Sequence, residues 1–336
     1  MILSRKLDPA RETGKRRAEQ PFIIYVLLDD SLQFLGRELT AALAEDFPDE
    51  DWTGAEAMDA IPFDTNQVAV GGIGCGAGRG MAVLTGGVAL PFNFDELFAR
   101  NHVTDPDTCH RITTSSHHIC ITVNSTGSDL SARLAAARRA TACAAVFAEL
   151  PTATGVVMEW ANRIIPAPAF AATSAAIRKG ACPLSSWVLP MGGAEEGDAA
   201  LHWVTSIGAA AFLGCEVETR MSPETLPDAA TSVMAALSMM IDRGHAFRDG
   251  ETVGDDAPDA TRYRVRLVPE GLLDNDCDRW LVLHPDSPFK DRKVLGRPKS
   301  RLLSTPLAEP GPQAPESWFR KGLAALAKTT PETRAQ

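Results

Sequence analysis

The sequence predicts an α+β fold in which mixed, largely antiparallel sheets carry helices packed on one face. Segments with helical periodicity and segments with strand character follow one another without the strict alternation of a doubly wound parallel sheet. A strand–helix–strand unit is recognisable near the middle of the chain, over residues 118–160. The chain has 336 residues, of which 45% are hydrophobic and 23% charged, enough for one large domain or about two smaller ones.

The central unit consists of two apolar strands joined by an alanine-rich helix. Residues 118–124 and 155–160 have the composition of buried strands. The helix is expected to begin near Ser128, whose hydroxyl can accept a hydrogen bond from a free amide in the first turn, and to end before Pro151. Its apolar residues recur at three- or four-residue spacing, which gives one apolar face. An alanine stripe lets a helix lie close to a sheet, so the unit is expected to form one layer.

The N-terminal third is expected to contain three strands and two helices. Strands are predicted at 22–28, 67–70 and 81–84, and the glycine-rich run 71–80 lies between the last two. A helix is capped by residues 29–31 and stopped by Pro48, and a short helix covers 94–100. Residues 101–116 are expected to form a polar linker.

The C-terminal half contains further strands around one long helix. A short helix is predicted at 166–177, a strand at 187–189 and a glycine-rich turn at 191–199. Strands at 201–205 and 214–220 are expected to form a hairpin. Ser222 and Pro223 have the pattern of a helix start, Gly244 ends that helix, and the last strands are predicted at 263–267 and 280–283.

The predicted organisation is one α+β domain between two tails. Residues 1–20 are basic without apolar periodicity and predict a flexible tail, and residues 286–336 are rich in proline and charge and predict a partly disordered one. The domain covers 21–285. Two related halves, about 21–110 and 117–285, are the alternative, although no sequence identity supports a repeat.

Charge and cysteine usage exclude several classes of protein. A net charge of −10 disfavours general binding to nucleic acid or to anionic membranes, because phosphate binding needs a basic surface. The seven cysteines are odd in number and several lie in apolar patterns; Cys120 and Cys143 are expected to be buried and unreactive. With no signal peptide and no run of about 18 apolar residues, the predicted location is the cytoplasm.

Three patterns resemble cofactor or metal sites. The run from Gly72 to Ala77 fits a loose G-x-G-x-x-A pattern, but a strand follows it where dinucleotide binding needs a helix, so a flexible hairpin loop is favoured. The acids around Asp249 lack the spacing of a calcium loop, which favours a turn at Gly250 and Gly254. The third pattern groups Cys109, His110, His117 and His118.

That third pattern favours a polar strand entrance over a zinc site. The adjacent His117 and His118 point to opposite faces of a strand, so at most one of them joins His110. No C-x-x-C or H-E-x-x-H spacing is present, and zinc needs three or four converging ligands. We therefore predict no metal and no cofactor.

Acidic side chains supply the main candidate binding residues. Glu216 and Glu218 alternate on one face of a predicted strand, and with Glu159 they are candidates to line an acidic pocket. Such alternation is more often a solvated face with Val217 turned towards the core. Thr205 and Asp249 complete the set of candidate binding residues; no residue is predicted to be catalytic.

Two motifs between residues 201 and 254 resemble the bacterial domain of unknown function numbered 4261. Thr205-Ser-Ile-Gly208, followed by Phe212-Leu-Gly-Cys-Glu216-Val-Glu218, is similar to that family's threonine–glycine turn and its strand with alternating glutamates, except for Leu213 where the family has glycine. Phe247-Arg-Asp249-Gly-Glu-Thr-Val-Gly254 resembles its aspartate–glycine–acid–threonine–hydrophobe–glycine turn. The resemblance extends over about 22–267 and implies no catalytic residues. The family's association with secretion and polymorphic toxin loci implies an accessory or immunity role.

Together these features predict a non-enzymatic cytoplasmic accessory or immunity-type protein that binds a protein partner. The absence of a strong catalytic constellation favours this class over an enzyme, and the acidity favours a basic partner. The alternative is an enzyme, or a binder of a small ligand or metal, with an acidic pocket near Glu159, Glu216 and Glu218.

Overall fold

The computed structural model describes residues 20–30, 36–46, 48, 52–53, 69–75, 79–86, 92–177, 182–195, 198–253, 262–268, 271–272 and 280–285. Apart from Gln20, the predicted tails 1–20 and 286–336 lie outside the described residues. So do residues 76–78 of the glycine-rich run, and Asp255 and Asp256 of the calcium-like pattern.

The fold is α+β, as predicted. The described strands are β1 (Phe22–Leu28), β2 (Trp52–Thr53), β3 (Ala69–Cys75), β4 (Arg79–Gly86), β5 (His117–Val123), β6 (Ala153–Met158), β7 (Arg163–Pro166), β8 (Leu189–Glu195), β9 (Asp198–Ile207), β10 (Glu216–Ser222), β11 (Thr252–Val253), β12 (Tyr263–Val268) and β13 (Trp280–Pro285). The described α-helices are α1 (Gly36–Asp46), α2 (Phe94–Asn101), α3 (Pro106–Thr113), α4 (Leu130–Ala148), α5 (Ala167–Ile177), α6 (Leu184–Trp187), α7 (Ala210–Leu213) and α8 (Leu226–Arg243). A 3-10 turn covers Glu159–Ala161.

The first seven strands form one sheet in the order β2-β3-β4-β5-β1-β6-β7. All of its described pairs are antiparallel. The predicted strand–helix–strand unit is therefore a crossover, because β1 lies between β5 and β6. The antiparallel pairing of β3 with β4 confirms the predicted hairpin. The flexible loop predicted for residues 71–80 is wrong, because 71–75 and 79–80 lie in the two paired strands.

The remaining six strands form a second sheet in the order β11-β12-β13-β10-β9-β8. Its described pairs are antiparallel except for the parallel pair β10–β13. The predicted hairpin of β9 and β10 is confirmed. Helix α8 lies against β8, β9 and β10, and its buried residues Val233, Leu237 and Met240 recur at helical spacing on one face.

The described chain divides into two compact units. One contains Gln20, 127–134 and the described residues from 187 onwards, including the six-stranded sheet; the other contains 21–126 and 135–186, including the seven-stranded sheet. The division differs from the halves 21–110 and 117–285, and the two sheets have different strand orders. The structure therefore gives no support to an internal repeat.

Strand alternation sets the core of the seven-stranded sheet. In β1, Phe22, Ile24 and Val26 are buried on one face, and Ile23 and Tyr25 are half-buried on the other. On that second face, Leu27, Val157 and Ile164 pack against residues of α2 and α3: Leu97, Phe98 and Ile112. The sheet is thus covered there by two short helices.

Four further local predictions are wrong. The predicted linker 101–116 contains α3, because Asp105 accepts a hydrogen bond from Thr108 N at 2.9 Å and Pro106 occupies the first turn. The predicted strand 187–189 covers the end of α6 and the start of β8, and the described residues of the predicted turn 191–199 belong to β8 and β9. The long helix begins after Thr225 and not at Ser222, which is the buried last residue of β10.

Candidate functional site

Thr205, Glu216 and Glu218 lie together inside the six-stranded sheet. The exposed fraction is 0% for Thr205, 1% for Glu216 and 0% for Glu218. The two glutamates lie on β10 between β9 and β13, and Glu218 stands opposite Thr205 in the register. The prediction that these acids form a solvated face or recognition surface is wrong, because neighbouring elements cover that face as well.

The Glu216 carboxylate holds the turn between β9 and α7. Its Oε2 accepts hydrogen bonds from Ser206 Oγ at 2.6 Å and Ala209 N at 3.0 Å, and its Oε1 accepts one from Gly208 N at 2.9 Å. Gly208 has a φ of 106°, a conformation that side-chain-bearing residues rarely adopt. The threonine–glycine turn and the first glutamate therefore form one hydrogen-bonded unit.

Glu218 is the centre of a second buried network. Its Oε2 accepts from Arg220 Nε at 3.0 Å and Nη2 at 2.6 Å. Its Oε1 accepts from Thr205 Oγ1 at 3.1 Å and from Leu272 N at 2.8 Å. Both carboxylate oxygens are thus occupied by groups of the protein itself, which is how buried charges are stabilised.

Burial has the largest influence on the pKa of both glutamates. Loss of water raises the pKa of Glu216 and of Glu218 above the ordinary value, while the donors around each carboxylate act in the opposite direction. For Glu218 the nearby Arg220 guanidinium is the largest of these opposing influences. This arrangement holds the sheet together and leaves neither carboxylate open to a ligand.

Glu159 belongs to the compact unit that contains the seven-stranded sheet, whereas Glu216 and Glu218 belong to the other unit. Its side chain is exposed in the 3-10 turn, and Tyr25 Oη donates a hydrogen bond to its Oε2 at 3.4 Å. Burial raises the Tyr25 pKa, and Cys120, which stands opposite Tyr25 in the register, and Glu159 add to the rise. Because donors of the protein itself occupy the carboxylates of Glu216 and Glu218, the structure does not support an acidic pocket lined by these two residues.

Asp249 lies in the loop that pairs with β12. Its Oδ1 accepts a hydrogen bond from Leu267 N at 3.0 Å, and its Oδ2 lies 3.8 Å from Arg266 Nη1. Gly250 N donates to Val265 O at 2.8 Å. An open cavity of about 500 Å³ beside the loop is lined by Arg243, His245, Arg248, Asp249, Gly250 and Glu251.

Charges of both signs line this cavity and pair with each other. Glu251 accepts from Arg243 Nη2 at 2.6 Å and from Arg248 N at 2.8 Å, and both contacts lower the Glu251 pKa. The Arg243 guanidinium lies 5.0 Å from the centre of the Phe247 ring. The turn predicted at Gly250 is confirmed by its φ of 81°.

One face of β12 carries the exposed arginines Arg264 and Arg266, and a third exposed arginine, Arg262, immediately precedes the strand. Tyr263 and Val265 alternate with them and are buried on the opposite side of the strand. The strand is next to the sheet edge, because its neighbour β11 has two residues and ends the sheet. We call these three residues the arginine face.

The histidines and cysteines that the sequence offered as possible metal ligands do not form a common site in the described residues. Within the described ranges, no group of three or more histidine, cysteine, aspartate or glutamate side chains is arranged to hold a metal ion. His117 Nδ1 lies 2.8 Å from Ser116 Oγ, and the His118 ring lies 5.9 Å from that of Tyr25. Cys120 and Cys143 are buried, as predicted, and burial raises the pKa of both thiols.

Several residues of these arrangements were missed by sequence reasoning. Ser206, Arg220 and Leu272 complete the glutamate networks, and only Arg220 gave a local signal, as a cation two residues from Glu218. The arginine face was visible in the alternation of Tyr263-Arg-Val-Arg-Leu267.

Among the helices that the structure describes, none has the length and apolarity needed to cross a membrane. No family model, curated protein or solved structure matches the chain. The resemblance of residues 205–254 to the bacterial domain of unknown function thus stays a prediction.

Proposed function

We propose that this protein is a cytoplasmic accessory or immunity-type protein that binds a protein partner through the arginine face of β12. The observation that carries the proposal is the row of exposed arginines that begins at Arg262 and continues with Arg264 and Arg266 along one side of β12, next to the sheet edge. Arginine is enriched in protein interfaces because its planar guanidinium makes paired hydrogen bonds to carboxylates. The matching partner surface therefore carries carboxylates.

The partner is thus expected to be acidic at the contact, whereas the acidic composition of the chain suggested a basic partner. The acids that were candidates to meet a basic partner, Glu216 and Glu218, are inside the sheet and hold Ser206, Arg220 and Thr205. The net charge of −10 disfavours long-range attraction of an acidic partner, so the contact is expected to depend on short-range pairing. The free cysteines in the described part support a reducing compartment. The secretion or toxin association rests on the family resemblance alone.

Affinity capture with matched variants tests this proposal. A variant with Arg262→Gln, Arg264→Gln and Arg266→Gln is compared with one carrying Arg100→Gln, Arg111→Gln and Arg138→Gln, which removes the same charge from the seven-stranded unit. Both are immobilised beside the wild-type chain in extract of the native cell. We expect a protein that the wild type and the control retain and the β12 variant loses, with retention falling as salt rises. Equal capture by all three forms, or no capture at low salt, contradicts the proposal.

A further inference from the structure

A cavity opens at the C-terminal end of helix α8, where the chain leaves the helix and enters the loop that pairs with β12. Its volume of about 500 Å³ lies within the range of pockets that bind small organic molecules, about 300–1,000 Å³. Three of its lining residues are basic, Arg243, His245 and Arg248, and all three are exposed. The cavity is therefore open to a ligand from solvent and has basic side chains in its wall.

The two acids in the wall of this cavity are engaged by the protein itself. Glu251 accepts hydrogen bonds from Arg243 Nη2 at 2.6 Å and from Arg248 N at 2.8 Å, one on each oxygen. Asp249 Oδ1 accepts one from Leu267 N at 3.0 Å. Three of the four carboxylate oxygens thus have donors, and a cation would have to displace them.

The basic side chains keep donors that the described part of the chain does not use. The guanidinium of Arg248 makes no hydrogen bond or ion pair with the described residues, although its backbone N binds Glu251. Arg243 is held by Glu251 and by the Phe247 ring, 5.0 Å away, while its Nε and Nη1 have no acceptor among the same residues. Engaged acceptors beside unused charged donors favour an anionic ligand.

His245 adds a nitrogen that can either accept or donate a hydrogen bond. Its Nδ1 lies 3.0 Å from Ala246 O, and since a carbonyl oxygen only accepts, Nδ1 carries the hydrogen. Nε2 is therefore an acceptor in the neutral ring and a donor in the protonated ring. A phosphate group matches both states, because its monoanion carries an O–H and its dianion carries acceptor oxygens only. Sulfate and carboxylates have no O–H near neutral pH and match the protonated ring alone.

We propose that this cavity binds a phosphate group, either as inorganic phosphate or as part of a small phosphate monoester. Arg248 and the unused donors of Arg243 bind phosphate oxygens, and His245 Nε2 accepts the remaining O–H or donates to an oxygen. The planar guanidinium is suited to phosphate because it offers parallel N–H donors. The three residues of the arginine face are not among those that line the cavity in the described part of the chain, so the proposal is independent of the protein partner.

NMR titration of the arginine Nε–Hε signals tests the site directly. The signals of Arg243 and Arg248 are assigned by their loss in Arg243→Lys and Arg248→Gln. Inorganic phosphate, glycerol 3-phosphate, sulfate and acetate are added separately at matched ionic strength and about pH 6.5, where phosphate groups are present in both protonation states. We expect the two phosphates to move both signals with saturation, and sulfate and acetate to bind at least several-fold more weakly. Tighter binding of glycerol 3-phosphate assigns the site to organic phosphates, and tighter or equal binding of inorganic phosphate assigns it to the free ion.

Matched variants separate this cavity from the general charge of the protein. Arg248→Gln removes a side chain without a partner in the described residues, so it should leave the Tm unchanged and raise the phosphate Kd about ten-fold or more. Arg111→Gln removes the same charge from the other compact unit and should change the Kd by less than about two-fold. Asp249→Asn keeps a carbonyl acceptor for Leu267 N and removes a negative charge from the wall, so it should tighten binding roughly three-fold.

Four results would each overturn the proposal. They are unmoved signals of Arg243 and Arg248 during the phosphate titration, sulfate binding as tightly as phosphate, the same Kd in Arg248→Gln as in Arg111→Gln, and weaker phosphate binding in Asp249→Asn.

Discussion

Glu218 and Arg220 form an ion pair in which the carboxylate is fully buried and the guanidinium is 12% exposed. Removing one partner of such a pair leaves the other charge without compensation in a medium of low polarity. We therefore expect Arg220→Gln to lower the free energy of unfolding by about 3–5 kcal/mol. Urea unfolding followed by circular dichroism measures this loss.

The exposed pair of Arg266 with Asp249 is the matched control. Its nitrogen–oxygen distance is 3.8 Å, and its side chains are 52% and 54% exposed. Solvent screens such a pair, so Arg266→Gln should change the free energy of unfolding by less than about 1 kcal/mol. Losses of similar size in the two variants would show that Glu218 and Arg220 are as solvated as the surface pair.

The buried Nε of Arg163 is expected to lower the stability of the fold. Its Nε has no acceptor, and Arg133 in the same chain shows that backbone carbonyls can satisfy a buried guanidinium. Arg163→Met keeps the apolar stem and removes the charge, so it should raise the free energy of unfolding by about 1–3 kcal/mol. The measurement is urea unfolding in chloride buffer, and a loss of stability would contradict this expectation.

At the scale of single residues, the sequence predicted Glu159, Thr205, Glu216, Glu218 and Asp249 as binding residues, but Thr205, Glu216 and Glu218 are buried and not on a surface. Alternating acids on a strand are usually solvated, because burial of a carboxylate requires donors. Here Leu272 N, a donor 54 residues away in sequence, helps to satisfy Glu218. A contact over that separation leaves no local signal, whereas the alternation of arginines on β12 was readable directly.

The hairpin of β8 and β9 depends on one glycine more than on its neighbour. A Cβ at Gly192 would lie 2.5 Å from the carbonyl oxygen of Trp203 and 2.6 Å from Leu226 Cδ1. A Cβ at Gly193 would lie 3.4 Å from the Trp203 ring, an ordinary contact. We expect Gly192→Ala to lower the free energy of unfolding by about 3 kcal/mol and Gly193→Ala to change it by less than about 1 kcal/mol. Thermal unfolding compares them, and equal effects would contradict the close approach of β8 to Trp203.

At the scale of elements, the sequence predicted the long periodic segments better than the short ones. Helix α8 was found from its apolar face, but its start was placed at Ser222 because that residue and Pro223 imitate a cap. The true cap is Thr225, whose Oγ1 accepts from Asp228 N. Helix α3 has eight residues, too few for periodicity to stand out, although Asp105 and Pro106 supplied a start signal.

At the scale of the whole molecule, the fold class was predictable but the order of strands was not. Pairing of β1 with both β5 and β6, and the parallel pair of β10 and β13, join segments distant in sequence. Local patterns report which face of a strand is buried, not which strand lies beside it. The division into two units passes through α4 after Leu134, where helical periodicity continues without a break.

The two buried glutamates should make the free energy of unfolding of the whole molecule depend on pH. A carboxyl whose pKa is raised on folding above its ordinary value of about 4.5 binds more protons in the folded state. The free energy of unfolding contributed by Glu216 and Glu218 should therefore decrease as pH rises from about 4.5 through their folded pKa values. Urea unfolding across this range should show a less negative slope for Glu216→Gln than for the wild type, whatever its absolute stability. Identical slopes would contradict the burial of Glu216.

The most direct test of the account is a pH titration of the side-chain carboxyl carbons of Glu216 and Glu218 by NMR. Because both groups are inside the sheet, their midpoints should lie above the ordinary value of about 4.5. The carboxyl of Glu251, whose side chain is 26% exposed, provides an internal comparison, since contacts with Arg248 N and Arg243 lower its pKa. Midpoints of Glu216 and Glu218 at or below the ordinary value would contradict the claim that water is excluded from these side chains and that they hold the fold from within.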